Sequence, residues 1–389
     1  MRRLLLIALV ALMPVTGVFS FGSKRANMAA ADMLVPVAML FLLWRIAHGK
    51  GRFPQFGLFC LSTSLVAMSG LLNIEASLAA KGAIGMWVEF LKLTVLWVYF
   101  YLVTNFIETR EDLVALLKTW TVSSAAVALT GIGGALAYQA TGRENPFALM
   151  FRAQGTLGDS NLFATFLGMS FFVALYYRNL KTPRPRWVMV PMALQVAGIF
   201  FSASRGGLLY FSFSLLVLFF ISSRMTTRVA GVAALVVMSV VIMAIPDKGA
   251  LLQANTFTDR MAASGASDRI ELWRSATERF QASPLFGIGR GNFRLLDQRD
   301  PTKTGQVHNT YLEILCELGL VGLVVYAAFV GKHFAALFSR RSDPGSRLLM
   351  MALVTVLLCG LTISIGNFRG AWMLVGLVDA HQRFHATTA

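Results

Sequence analysis

Apolar runs of roughly twenty residues recur from one end of this chain to the other, and a run of that length crosses the hydrocarbon core of a bilayer as a helix. They lie near residues 4–21, 29–47, 56–72, 82–106, 117–140, 161–178, 187–202, 206–222, 229–245, 310–331 and 348–366, with a shorter twelfth over 371–380. In lipid every backbone N–H and C=O must be satisfied internally, which leaves helices as the form for such runs. Composition agrees, with 56% hydrophobic and 14% charged residues over 389, where a soluble chain carries about 25% charge. The expectation is an all-α polytopic integral membrane protein of about twelve transmembrane helices. It reads as one membrane domain over 1–389: nine spans within 1–245, one long connector at 246–307, and three spans within 308–389.

With twelve spans the connectors alternate sides, so the distribution of Lys and Arg orients the chain. One side, with both termini, is crowded with basic residues, among them Arg2, Arg3, Arg45, Arg110, Arg184, Arg340 and Arg383. The opposite connectors hold few: Lys24, Arg25, Lys81, Arg143, Arg152, Arg205 and Arg369. The rich side is expected to be cytoplasmic, which puts 246–307 outside. The formal charge of +16 is therefore explained by topology, and nucleic acid is excluded as a partner. The first run also has features of a secretory signal, with Arg2 and Arg3 before LLLIALVALM, but a second span follows almost at once and an uncleaved helix is expected. Cys60, Cys316 and Cys359 sit in or beside apolar segments without metal-ligand spacing and are expected to be core side chains.

The long connector is too small and polar for a core of its own. Within it SDRIELWRSATERF reads as a short amphipathic helix on the membrane surface, with Asp268 capping, Glu271 three residues on, and Ile270, Trp273, Thr277 and Phe280 on one face. SPLFGIGRGNF follows, and its Pro284, Gly287, Gly289 and Gly291 call for turns that bring backbone close to a neighbour.

The polar residues that cost most in a membrane gather on the outer side. SASRGG, residues 202–207, turns between two spans and lifts Arg205 to the boundary. An interfacial arginine can simply snorkel to water, but paired serines and glycines around it permit close approach by a ligand. QGTLGDSNLFATF places Asp159 and Asn161 at the start of the sixth span, Asp159 reading first as an N-cap, with Arg152 just upstream. VHNTYLEILCELGLVGL carries His308 and Asn309 into the tenth span, and Asn309, Glu313 and Glu317 share one stripe at four-residue spacing. A carboxylate inside a bilayer costs at least ~2.5 kcal/mol, so these two require basic partners or a cavity. There is no Walker loop, G-x-S-x-G or HExxH motif, and no metal or other cofactor is expected. What remains is an imidazole, several guanidiniums and orienting carboxylates at one face. Guanidiniums bind phosphate oxygens in a fork, and a neutral imidazole can take a proton from a hydroxyl. Together they fit a transferase with a lipid-pyrophosphate leaving group. A twelve-span transporter or lipid flippase is the reading of a different class, and it would place its costly groups near the midplane in repeated halves.

These stretches, SASRGG, GDSNLFA, SDRIELW, SPLFGIGRGNF and HNTYLEILCELGLVGL, in this order between Arg152 and Leu323, resemble the O-antigen ligase and O-antigen polymerase superfamily of bacterial envelope glycosyltransferases. The resemblance implies a metal-independent, inverting GT-C enzyme of the inner membrane. It would move a glycan from undecaprenyl pyrophosphate to lipid A core oligosaccharide (ligase) or to another lipid-linked repeat unit (polymerase) at the periplasmic face. It also implies that Arg205 and Arg269 hold the pyrophosphate and that His308 activates or positions the acceptor hydroxyl. Arg290 is an alternative to Arg269, and Asn309 and Glu313 are added as orienting groups.

Overall fold

The computed structural model describes residues 1–16, 20–21, 24–25, 28–221, 265–293 and 306–386. Helices dominate: α1 (Arg2–Leu12), α2 (Val35–Ala47, entered by a 3-10 turn from Ala30), α3 (Phe56–Leu72), α4 (Ile74–Phe106), α5 (Arg110–Thr141), α6 (Ser160–Leu180), α7 (Met189–Phe201), α8 (Arg205–Ile221), α9 (Gly265–Ala282), α10 (Thr310–Ser339), α11 (Pro344–Cys359) and α12 (Arg369–Ala386). Two two-residue antiparallel hairpins, Ser20–Phe21 with Lys24–Arg25 and Ala148–Leu149 with Arg152–Ala153, are the strands among the described residues. Every expected span but the ninth falls on a helix; 229–245 lies outside the described residues, as do 246–264 and 294–305 of the long connector. Ala30–Ala47, Ile84–Phe106, Arg110–Thr141, Ser160–Leu180 and Thr310–Ser339 are long and apolar enough to cross a membrane. Outward-facing side chains agree: Ile84 (82% exposed), Trp87, Leu40, Val190 and Leu209 all stand uncovered, and apolar surface of that extent marks contact with lipid rather than water.

Several expected spans change at their ends, each for a local reason. The first stops at Leu12 instead of continuing to 21, because Pro14 lacks an N–H and its ring blocks the preceding turn. The eleventh, expected to reach 366, ends at Cys359, and its last residues form a turn considered below. The tenth is not continuous: Gly319 has φ 68° and ψ −168° inside α10. Of the cysteines, Cys316 and Cys359 are buried as expected, whereas Cys60 is exposed on α3.

The core lies along the bundle axis, where α6 packs on α11 and α5, and α12 packs on α4. Phe163, Phe166, Phe172, Trp97, Tyr99 and Phe100 fill it. Ion pairs sort the connectors into two ends, as the alternation requires. At the end with both termini, Arg2 and Arg45 pair with Glu108, Arg2 and Arg3 with Asp112, and Arg52 with Asp379, while Arg383 donates to the Thr104 and Ile107 carbonyls. At the opposite end Thr156 donates to Pro14, Ala30 to Val15, and Arg369 grips Asp32 with Nε and Nη2.

Asp112 joins three elements. Its buried carboxylate takes two arginines of α1 and accepts the Thr109 and Glu108 backbone N–H groups, closing a capping box at the start of α5. Replacing it with alanine orphans both donors, and Asp112→Ala is expected to cost about 2 kcal/mol. Thermal unfolding in detergent should show it, and an unchanged midpoint would mean that the α1–α5 clasp contributes nothing.

Candidate functional site at one end of the bundle

The SASRGG turn is held by its own serines and by the Arg152 hairpin. Ser202 caps back with Oγ accepting from Ser204 N at 3.0 Å, and its carbonyl accepts Arg152 Nε at 3.2 Å. Ser204 Oγ donates to Asn161 Oδ1 at 2.9 Å and accepts from Gly207 N at 3.2 Å, and the same Asn161 oxygen takes Arg152 Nη2 at 3.4 Å. Ala203 accommodates the reversal at φ 49°. The turn thereby fixes Arg205 as the first, exposed residue of α8. Asp159 is the N-cap of α6, accepting from Asn161 N at 2.9 Å and Leu162 N at 2.7 Å, as its position before an apolar run predicts.

His308 sits half-buried in the left-handed region at φ 52°, a conformation that costs a non-glycine residue about 1 kcal/mol or more and accumulates at functional sites. Asn309 follows as the N-cap of α10, its Oδ1 accepting from Tyr311 N at 3.0 Å and Leu312 N at 3.1 Å. That carboxamide oxygen is committed to the helix, which fixes the start of α10 directly after His308. Arg269 is half-buried in α9. One turn on, Trp273 Nε1 donates to the Val307 carbonyl at 3.0 Å, so the helix of Arg269 is tied to the residue before His308.

Helix α9 departs from expectation. It begins at Gly265, which leaves Asp268 inside the helix instead of capping it. Its covered face is Leu272, Trp273, Ser275 and Ala276, packed with Phe293, Val307 and Cys316, while Ile270 and Thr277 are exposed. The reason is tertiary: α9 packs along α10, and that partner selects a face one residue round from the stripe of periodicity.

The glycines of SPLFGIGRG find their purpose at the break in α10. Ile288 N and Gly289 N donate to the Cys316 and Glu317 carbonyls at 2.9 and 3.0 Å, and Leu320 N and Val321 N donate to the Pro284 and Leu285 carbonyls at 2.8 and 3.3 Å. The Ser69 hydroxyl of α3 adds contacts to the Phe286 and Glu317 carbonyls at 2.7 and 3.0 Å. The inserted loop thus replaces the helical partners lost at Gly319, the condition under which irregular backbone persists inside a membrane protein. Arg290, next in the loop, faces inward. Its Nε stands 3.9 Å from Glu317 Oε2 and its Nη2 donates to Asn367 Oδ1 at 3.3 Å. Burial alone would depress its pKa, but Glu317, Glu313 and Glu89 outweigh burial and raise it. Arg290 also borders an apolar cavity of about 70 Å³ between α3, α4, α10 and α12, lined by Leu93, Trp97, Ile314, Phe329 and Trp372 among others.

The piece that joins these motifs was not anticipated. Residues 360–368 leave α11 as a non-helical turn. Thr310 N donates to the Gly360 carbonyl at 2.8 Å, and Thr310 Oγ1 donates to Ile363 and accepts from Ile365 N at 2.8 and 2.9 Å. Thr362 of the same turn fills the space where a side chain at Gly206 would stand, and Asn367 holds Arg290. The turn therefore touches the start of α8, the start of α10 and the inserted loop, and brings Arg205, His308 and Arg290 to one end of the bundle. The available signal was Thr362, Ser364 and Asn367, with two glycines, interrupting an apolar run. Among the described residues no cluster of His, Cys, Asp and Glu could hold a metal ion.

Residues 190–327 match a family model described as O-antigen ligase. No curated protein matches the chain. The matched segment runs from α7 into the second half of α10 and contains Arg205, Arg269, Arg290, His308 and Glu313, whereas Arg152, Asp159 and Asn161 precede it. The match falls on the segment that carries most of the gathered motifs, so residues 190–327 are similar to the O-antigen ligase family.

Proposed function

We propose that the protein is an O-antigen ligase, transferring a glycan from undecaprenyl pyrophosphate to lipid A core oligosaccharide at the periplasmic face of the inner membrane. The observation that carries this reading is the 360–368 turn, which draws an exposed guanidinium (Arg205) and an imidazole (His308) to the same bundle end. Arg205, assisted by Arg269, binds the pyrophosphate oxygens in the fork geometry that suits guanidinium. Arg152 and Asn161 stiffen the Arg205 turn from behind. The acceptor hydroxyl oxygen attacks the anomeric carbon, the bond from that carbon to the pyrophosphate oxygen breaks, and undecaprenyl pyrophosphate departs with the electron pair. His308 takes the hydroxyl proton. A single displacement inverts the anomeric centre. The cationic groups stabilise charge that grows on the leaving oxygen, an electrostatic contribution that is strongest where water is excluded.

The test supplies purified protein in lipid with an undecaprenyl-pyrophosphate glycan, with and without lipid A core. Glycan joined to the core only when core is present supports the ligase. Extension of the donor by itself would make the protein a polymerase, and lipid movement without transfer would make it a flippase. The same preparation predicts that Arg205→Ala raises the donor KM and lowers kcat/KM about 10²-fold or more. A variant that retains wild-type kcat/KM would remove Arg205 from the site.

A further inference from the structure

Arg290 lies in the same loop as the basic residues that a pyrophosphate site would recruit, yet its surroundings oppose an anion. The guanidinium is 10% exposed and directed at Glu317, with Glu313 and Glu89 acting on it as well. Glu89 has its own partner in Lys92 at 2.5 Å. Glu313 and Glu317, buried and one helical turn apart, each keep one carboxylate oxygen without a hydrogen-bond donor. A phosphate brought to Arg290 would enter a pocket already holding carboxylates, where like charge and desolvation both count against it. Arg205, in contrast, stands exposed on the first turn of a helix.

The connections of Arg290 describe a different task. Its preceding residues, Ile288 and Gly289, supply N–H groups to the carbonyls freed at the break in α10. Its side chain spans from Glu317, just above the break, to Asn367 of the 360–368 turn. Thr310, at the top of the same half-helix, is bound to that turn too. We propose that Arg290 is a positioning residue: it locks the short, His308-bearing half of α10 to the inserted loop and to the 360–368 turn by neutralising Glu317 and Glu313, and does not bind the leaving group. The inference rests on the transferase reading for its kinetic consequence, but the lock itself is a property of the fold.

A charge lock predicts an asymmetric cycle. Arg290→Gln strands buried carboxylates, whereas Glu317→Gln leaves the arginine with Glu313 and Glu89, so the first is the more damaging. Arg290→Gln is expected to lower kcat about 10–10²-fold with donor KM within about threefold of wild type, and the double variant Arg290→Gln/Glu317→Gln to regain most of that loss. Thermal unfolding without substrate should follow the same order, with the double variant above the single by several degrees. A donor KM raised tenfold or more in Arg290→Gln and not restored in the double would overturn the proposal, and so would a double variant no more stable than the single. If Arg290→Gln alone does not fold, the double decides: folded, active protein with wild-type donor KM supports the lock, and unfolded or inactive protein refutes it. Should wild type transfer no glycan while the stability cycle holds, the lock stands and the transferase reading falls.

Discussion

Substitution of His308 by asparagine is expected to lower glycan transfer by roughly 10²–10⁴-fold, the range for removal of a positioned general base, while leaving the fold intact. Asparagine is chosen because the position is left-handed, φ 52°, and asparagine tolerates that conformation better than other non-glycine residues. The backbone at 307–309 therefore keeps its contacts: Trp273 still donates to the Val307 carbonyl, and Asn309 still caps α10. Only the imidazole goes. On the proposed roles, in which guanidiniums bind the donor and His308 takes the proton, the loss should fall on kcat, and the pH–rate profile of the variant should lack a limb present in wild type. Steady-state transfer at a series of pH values, with donor and acceptor varied separately, measures both. A variant retaining a third of the wild-type rate at every pH would show that His308 neither takes the proton nor places the hydroxyl.

Glycine 319 carries the second large effect, on stability. Its φ of 68° and ψ of −168° belong to a region occupied almost exclusively by glycine. A Cβ there would also run into the carbonyl group of Leu285 and the N–H of Phe286 in the inserted loop. Backbone strain of about 1–3 kcal/mol then adds to the loss of loop–helix hydrogen bonds, each buried group left unmade costing about 1–3 kcal/mol. Gly319→Ala is expected to lose at least about 3 kcal/mol, a large part of the stability of an ordinary domain, and to give little monodisperse protein. Gly331, three turns further along α10, is the internal control: nothing lies within 4 Å of a Cβ built there, and Gly331→Ala should be neutral or slightly stabilising. Thermal unfolding of both in one detergent decides the matter. Equal midpoints would mean that the break in α10 is not required by the fold.

The same helix shows where local reading succeeds and where it stops. Asn309 before an apolar run announces a cap, and a cap is what it forms. Glu313 and Glu317 at four-residue spacing announce a buried acidic stripe in need of basic partners, and Arg290 answers for Glu317. Both are properties of a single helix, whose 3.6-residue period is written in neighbouring positions. The glycine at 319 is different. In an apolar run it reads as an ordinary helical glycine, because the groups that reward the break come from Pro284–Gly289, some thirty residues earlier in the chain. The end of α11 teaches the same lesson: its run of Leu, Ile and Thr is apolar enough to continue, and stops because Thr310 satisfies the non-helical backbone of 363 and 365.

By itself the sequence determined that this is a helical membrane protein, the face on which its basic, acidic and imidazole groups gather, and the family to which its central segment is similar. Those follow from span length, the cost of charge in lipid and short motifs, all of which act within a few residues. Only the tertiary structure decided that α10 is broken, that the 360–368 turn links the elements bearing Arg205, His308 and Arg290, and that Arg290 is turned inward onto carboxylates. Each depends on hydrogen bonds or ion pairs between residues far apart in the chain, and such a bond becomes favourable only when the packed helices have excluded every competing donor and acceptor.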